Sequence, residues 1–373
     1  MGSGFRLGRV FGVEVGVHPS WLVIGFLVAY SLAIGQFPFQ YPGWSDGQYW
    51  MVAVATTALF FVSVLAHELS HALVARRFGL QVTGITLFIF GGAANLSDEP
   101  ARPRDEALMA AAGPIASLAL GALLIAFDAL ITQPQLNALL GWLGFINLTL
   151  GLFNLIPGFP MDGGRILRAV LWKVRGDRFG ATRNAALVGR VFGYLLIGLG
   201  VMLAFQTGSL FSGVWLALIG WFLSSAAESA SAQMSVARAL TGIRVGDVMD
   251  AEPPSVGPNE TVAQLVHDHM LHGEHRSFLV RYEDGGLAGI VSLSDVRRVP
   301  REHWEAARVT DIMTRYADLA TVGPEDQVED AMQLLQAREV NQLPVVVEGR
   351  SVVGLLTRSG LLRLIDTRLK LGI

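Results

Sequence analysis

Apolar residues fall into long, nearly unbroken runs over the first two thirds of the chain and thin out after about residue 230. Six runs, at about residues 20–37, 48–75, 107–131, 136–156, 186–205 and 209–227, are each long enough to cross the hydrocarbon core of a bilayer as a helix. The stretch 84–96 follows another pattern. Its β-branched and aromatic residues flank Gly91 and Gly92, which predicts a short β-hairpin soon after the second helix. The expected fold is therefore a polytopic α-helical membrane protein with about six transmembrane helices and a short membrane-associated β-hairpin, followed by a soluble part.

Charge sharpens this division. Residues 1–240 carry 14 Lys and Arg against 11 Asp and Glu, and residues 241–373 carry 14 against 20, giving +3 and −6. The connections after odd-numbered helices (38–47, 132–135, 206–208) hold no Lys or Arg. The other side holds Arg6, Arg9, Arg76, Arg77, Arg102, Arg104 and the basic residues from Arg165 to Arg190. By the positive-inside rule both termini, and with them the acidic tail, are expected in the cytoplasm of a multi-pass cell-membrane protein. No removable signal peptide is expected in residues 1–19. With no cysteine in the chain, disulfides and thiolate sites are excluded, and a metal would have to be held by His and carboxylate.

The second apolar run contains His67-Glu68-Leu69-Ser70-His71. One helical turn separates the two histidines, so both imidazoles can reach one tetrahedral metal, with Glu68 beside them as a candidate general base. Ionisable residues at membrane depth cost on the order of 2–3 kcal/mol each, which makes them functional candidates. A third ligand is required, and Asp162, Asp128 and His18 lie in or near the membrane. Asp162 lies in a Pro- and Gly-broken segment, Asn154 to Gly164, at the end of the fourth run, and depth favours it. Both it and His71 come at the Arg-flanked ends of their helices. Asp128 falls near the opposite surface and reads as a satisfied polar residue. His18 precedes the first helix and reads as its cap or as a ligand.

These paired signatures resemble those of the site-2 protease family of zinc intramembrane metalloproteases, over about residues 5–230. His67, Glu68 and His71 match the first family motif, and Asn154, Pro157, Asp162 and Gly163 match the second. The resemblance implies that His67, His71 and Asp162 bind zinc, that Glu68 activates water, and that Asn154 helps hold the substrate backbone. Two positions depart from the pattern: Phe159 stands where the motif has its second Pro, and Met161 where Leu is usual. The hairpin at 84–96, with Gly91, Gly92 and Asn95, would offer a substrate an edge to pair with, or would plug the fold against the membrane. The segment 111–117 resembles a family segment too and reads mainly as close helix packing.

The tail contains an internal repeat of period near 65 residues. Val245-Gly246-Asp247-Val248-Met249 recurs as Val309-Thr310-Asp311-Ile312-Met313, and the segment 287–292 recurs as 352–357. The pattern resembles a tandem of cystathionine-β-synthase-type (CBS) domains, giving an expected division into a transmembrane domain, 1–235, and two α/β CBS repeats, 245–300 and 308–371. That resemblance implies an adenine nucleotide, ATP or AMP, contacted by Ser292 and Asp295, and a homodimer formed through the pair. The second repeat has Thr357 but Gly360 where the acid belongs. His267, His269, His272 and His275 read as a solvated helix face.

The expectation is a zinc endopeptidase that cleaves the transmembrane segment of single-pass membrane proteins in regulated intramembrane proteolysis, with no nucleic-acid partner. Two rivals remain at this point: a channel or transporter gated by CBS domains, against which the absence of an internal repeat in the spanning region argues, and an inactive relative that binds substrates without cutting them.

Overall fold

The structure, a computed structural model, describes residues 5–88, 91–96, 99–207, 210–272, 275–347 and 351–371, with the side chains of residues 93–96, 207 and 211 outside that description. The chain forms two compact units, Met1–Ala232 and Gln233–Ile373.

In the first unit, α1 (Ser20–Ser31) continues through a wide turn, Leu32–Gln36, into α2 (Phe37–Gln40), and this composite is the first of six spans. The others are α3 (Asp46–Arg77), α4 (Pro103–Asp128), α5 (Pro134–Asn154), α7 (Arg178–Thr207) and α8 (Leu210–Leu240), while the shorter α6 (Asp162–Arg175) lies between α5 and α7. The protein is thus a multi-pass membrane protein. Local chemistry sets the ends of α3. Ser45 and Gln48 form a reciprocal capping box at its start. At its finish, Gly79 takes a positive φ of 83° and Leu80 N donates back to Ala75 O, satisfying a terminal carbonyl.

The expected hairpin forms from β3 (Val82–Phe88) and β4 (Gly91–Leu96), but it is half of a larger sheet. Near the N-terminus β1 (Phe5–Val10) and β2 (Val13–Val17) make a second hairpin, and β2 pairs in parallel with β3, giving the order β1-β2-β3-β4. Val13, Val17, Ile85 and Leu87 form one buried cluster with Val64, Leu69 and Ala72 of α3, so the sheet is fastened beside the helix that carries the histidine motif. Among the described residues no strand pairs with the outer edge of β4.

Glycines let the helices touch along their backbones. A Cβ on Gly121 of α4 would lie 2.9 Å from Gly144 O of α5, and one on Gly151 would lie 3.0 Å from Pro114 O. Helices α7 and α8 meet the same way at two glycine pairs. Cβ atoms on Gly193 and Gly200 would fall 2.6 Å from the carbonyls of Gly220 and Gly213 respectively. Small residues at such crossings are the usual means of close helix approach in lipid.

The second unit contains the two repeats. In the first, β5 (Ser255–Val256), β6 (Ser277–Arg281) and β7 (Leu287–Ser292) pair with β8 (Thr314–Arg315), which follows the opening segment of the second repeat. The second repeat is built on β9 (Gln342–Val347) and β10 (Ser351–Thr357), and Leu355 of β10 pairs with Asp250, which follows the opening segment of the first. Each repeat therefore lends its leading segment to the other's sheet. The close of α8 belongs here: Ala239 and Leu240 are buried with Val322, Val328, Leu343 and Leu356.

Replacing Gly200 by Leu is expected to destabilise the α7–α8 crossing by about 1–3 kcal/mol, the usual cost of overpacking, and to lower the melting temperature in detergent. A Cβ added at Gly198 would meet nothing within 4 Å, so Gly198→Ala should leave melting unchanged or raise it slightly.

Candidate metal centre

Three helices converge on one point. His67 and His71 project from one face of α3, as their spacing requires, and Asp162, the first residue of α6, faces them. Asp162 Oδ2 is 3.2 Å from His67 Nε2 and 3.2 Å from His71 Nε2, and the two Nε2 atoms are 3.3 Å apart. Donors held about 2.0–2.1 Å from a tetrahedral zinc sit about 3.3 Å from one another, so this triangle matches one face of such a site.

The outer ring nitrogens are fixed from α4. His71 Nδ1 is 2.7 Å from Met109 O, and because a carbonyl can only accept, the proton of a neutral His71 lies on Nδ1. Its Nε2 lone pair is then aimed at the carboxylate and at the other imidazole. His67 Nδ1 is 2.9 Å from Ser117 Oγ. Converging lone pairs repel one another without a cation between them, so the donor set fits a zinc ion. Gly113, between Met109 and Ser117, makes room. A Cβ there would lie 2.2 Å from His71 Nε2 and 2.6 Å from His67 Nε2.

Glu68 sits half-buried beside the triangle under β4: a Cβ on Gly92 would lie 2.3 Å from its Cγ and 3.2 Å from its Oε1. The strand thus runs with its backbone against the carboxylate. Gly91 begins β4 and Asn95 lies within it, although the Asn95 side chain is outside the described residues. Asn154 closes α5 with its Nδ2 donating to Leu150 O at 3.1 Å, along its own helix rather than toward the triad.

The segment between Asn154 and Asp162 is held from the other side by α7. Phe159 N donates to Ala185 O, and Gly189 comes so near that a Cβ on it would lie 1.9 Å from Phe159 O. Phe159, in place of the motif's second Pro, is buried among Ala185, Ala186 and Ala227. Its substitution leaves Asp162 at the helix start, where the helix dipole favours a carboxylate.

The other candidate ligands are occupied elsewhere. His18 Nδ1 lies 2.8 Å from Ser20 Oγ and accepts from Ser20 N, capping α1. Asp128 Oδ1 accepts from Asn137 Nδ2 at 2.8 Å. In the second unit, Ser292 N and Oγ both donate to Asp295 Oδ2, closing the start of the short helix Leu293–Val296, whereas in the second repeat Thr357 Oγ1 accepts from Gly360 N. His269 is 3.1 Å from Glu260 and assembles no metal cluster with its neighbours among the described residues. Gly113, Ser117 and the Met109 carbonyl were not assigned to the site from sequence. The Gly-Pro-Ile-Ala-Ser stretch was the available signal: it resembles a family segment and reads mainly as packing.

A two-histidine, one-carboxylate set with an adjacent glutamate, placed among long apolar helices, suits a membrane metallopeptidase. Residues 55–134 and 128–199 match "Peptidase family M50", and residues 245–302 and 309–367 match "CBS domain". The chain is 37% identical to the "Putative zinc metalloprotease Rip3" of Mycobacterium tuberculosis over 98% of its own length and 94% of that protein's. It is 30% identical to the "Zinc metalloprotease MJ0392" of Methanocaldococcus jannaschii over 97% and 96%. Among solved structures, the site-2 protease from Methanocaldococcus jannaschii aligns at 30% identity with a TM-score of 0.42, covering 61% of this chain and 95% of that one. The chain belongs to the M50 family of zinc metallopeptidases, the site-2 protease type, in a form that carries a tandem CBS pair.

Substituting Gly113 by Ala is expected to lower zinc affinity by at least about 100-fold, whereas Ser117→Ala should fall within the roughly 10–100-fold range typical of a lost outer partner. Competition with a chromophoric chelator checks both.

Proposed function

We propose that this protein hydrolyses a peptide bond within or beside the transmembrane segment of single-pass membrane proteins, in regulated intramembrane proteolysis. The observation that carries the reading is the juxtaposition, inside the helical bundle, of the three-donor triangle, Glu68 and the open edge of β4. His67, His71 and Asp162 would hold one zinc ion. When bound, zinc supplies Lewis acidity, polarising a carbonyl and making water easier to deprotonate. Glu68 takes the proton from the attacking water and returns it to the leaving amine. A helical substrate hides its scissile carbonyl, so it must be extended first, and strand addition at Gly91, Gly92 and Asn95 would extend it next to Glu68. Asn154, released from Leu150 O, would hold the substrate backbone.

The one-sided distribution of Lys and Arg supports a cytoplasmic location for both termini and the CBS pair. That pair would form a homodimer and bind an adenine nucleotide at Ser292 and Asp295, altering substrate access. Among solved structures sharing the CBS fold, CBSX2 is described in complex with AMP, at 25% identity, 35% coverage of this chain, 100% of that one and a TM-score of 0.31.

Co-expression of a tagged single-pass substrate with the wild type should yield a cleaved product, and with Glu68→Gln none, while the purified variant keeps its zinc. Equal product from both assigns the cleavage to another enzyme. For the nucleotide, Asp295→Ala should weaken AMP binding, read by calorimetry, by at least about tenfold, the loss typical of one charge-assisted hydrogen bond. Unchanged binding would remove Asp295 from the site.

A further inference from the structure

The bundle holds a second pair of opposite charges that the proposed chemistry does not use. Glu106 of α4 is fully buried and Arg168 of α6 is 5% exposed. Arg168 Nε donates to Glu106 Oε1 at 2.5 Å, and its Nη2 reaches the same oxygen. The guanidinium also lies over the Phe159 ring, 5.4 Å from its centroid. Among the described residues Glu106 Oε2 has no hydrogen-bond partner, so Arg168 alone fixes this carboxylate.

The placement of the two residues is informative. Glu106 precedes Met109 by three residues of the same helix, about 4.5 Å of rise, and Met109 O holds the outer nitrogen of His71. Arg168 follows Asp162 by six residues of α6, about 9 Å. The ion pair therefore joins the helix that orients the imidazoles to the helix that delivers the carboxylate. Phe159, gripped by the same guanidinium, belongs to the segment leading into Asp162. Apolar contacts alone tolerate sliding of one helix along another, whereas a guanidinium held by a carboxylate has a fixed direction. A buried ion pair is also weak as a stabilising device, since apolar residues of similar volume often serve as well or better.

We infer that Glu106 and Arg168 are positioning residues for the metal site: their ion pair sets the register of α6 against α4 and so holds Asp162 Oδ2 against the two Nε2 atoms. The inference rests on the reading of Asp162 as a zinc ligand.

The test uses the full-length protein, zinc-loaded in detergent. The readouts are the rate of zinc release to a chromophoric chelator and the thermal unfolding of the metal-free form. The paired apolar replacement Glu106→Leu with Arg168→Met removes both charges together. It should melt near the wild type when metal-free, yet release zinc about 10–100-fold faster, the range for lost outer-shell partners. Arg168→Lys keeps the charge without the fork and should fall between the two. A role in stability alone would lower metal-free melting and leave zinc release unchanged, which overturns the inference. If the double replacement does not fold, Arg168→Lys decides, and a release rate within about twofold of wild type overturns the proposal. Asp162→Asn separates the two levels. Wild-type zinc retention in that variant removes Asp162 from the ligand set and the inference with it, whereas loss of zinc there with unchanged release in the Glu106 and Arg168 variants overturns the positioning role alone.

Discussion

The structure depends on where one proton sits. Met109 O can only accept, so a neutral His71 keeps its proton on Nδ1 and turns the lone pair of Nε2 inward. That lone pair meets a second imidazole nitrogen and a carboxylate oxygen in a space walled by apolar helices. Neutral imidazoles suit the setting, because a dication with one carboxylate and two uncharged ligands carries less net charge into low dielectric than the bare ion. The requirement also dictates helix spacing. The imidazoles come from α3, their outer partners from α4 and the carboxylate from α6, so α4 must pass within touching distance of the histidines. Gly113 permits that approach, and Gly121 and Gly151 let α4 and α5 meet closely along their backbones.

The sheet and the bundle solve complementary problems. A bundle of apolar helices has no free backbone groups to offer a partner, because every interior amide and carbonyl is used within its own helix. A sheet edge has such groups by construction. Anchoring the sheet through Val13, Val17, Ile85 and Leu87 onto α3 brings one edge to the level of Glu68 without opening the helices.

Much of this was legible in the chain. The spans were readable because lipid demands long uninterrupted apolar runs, and the histidine pair because a fixed helical period puts residues four apart on one face. Asp162 could be placed because Pro157, Pro160 and the glycines around it end one helix and free the next to start. The β1–β2 hairpin was not found: Phe5 and Leu7 of β1 are exposed and Arg6 and Arg9 interrupt them, so that strand carries no buried face to read, although the alternation of Val13, Val15 and Val17 in β2 was an available signal. Arg168 counted among the charges flanking the membrane, yet it is buried against Glu106, because sequence distance gives no sign that residues 62 apart will pair. Gly113 and Ser117 were visible as small residues, but their neighbours are set by how α4 crosses α3, a tertiary fact with no local signature. The helix boundaries differ for a related reason. Helix α8 runs to Leu240, beyond its apolar run, because its last residues belong to the second unit and are buried there with Val322, Val328 and Leu343.

The exchange of leading segments between the two repeats bears on how this protein is made. Thr314 and Arg315 complete a sheet belonging to residues nearer the N-terminus, and Asp250 completes one belonging to residues about a hundred positions later in the chain. A single repeat emerging from the ribosome thus holds a strand whose proper neighbour is not yet synthesised and a sheet whose last strand is still missing. Neither repeat has its full sheet until the other is present.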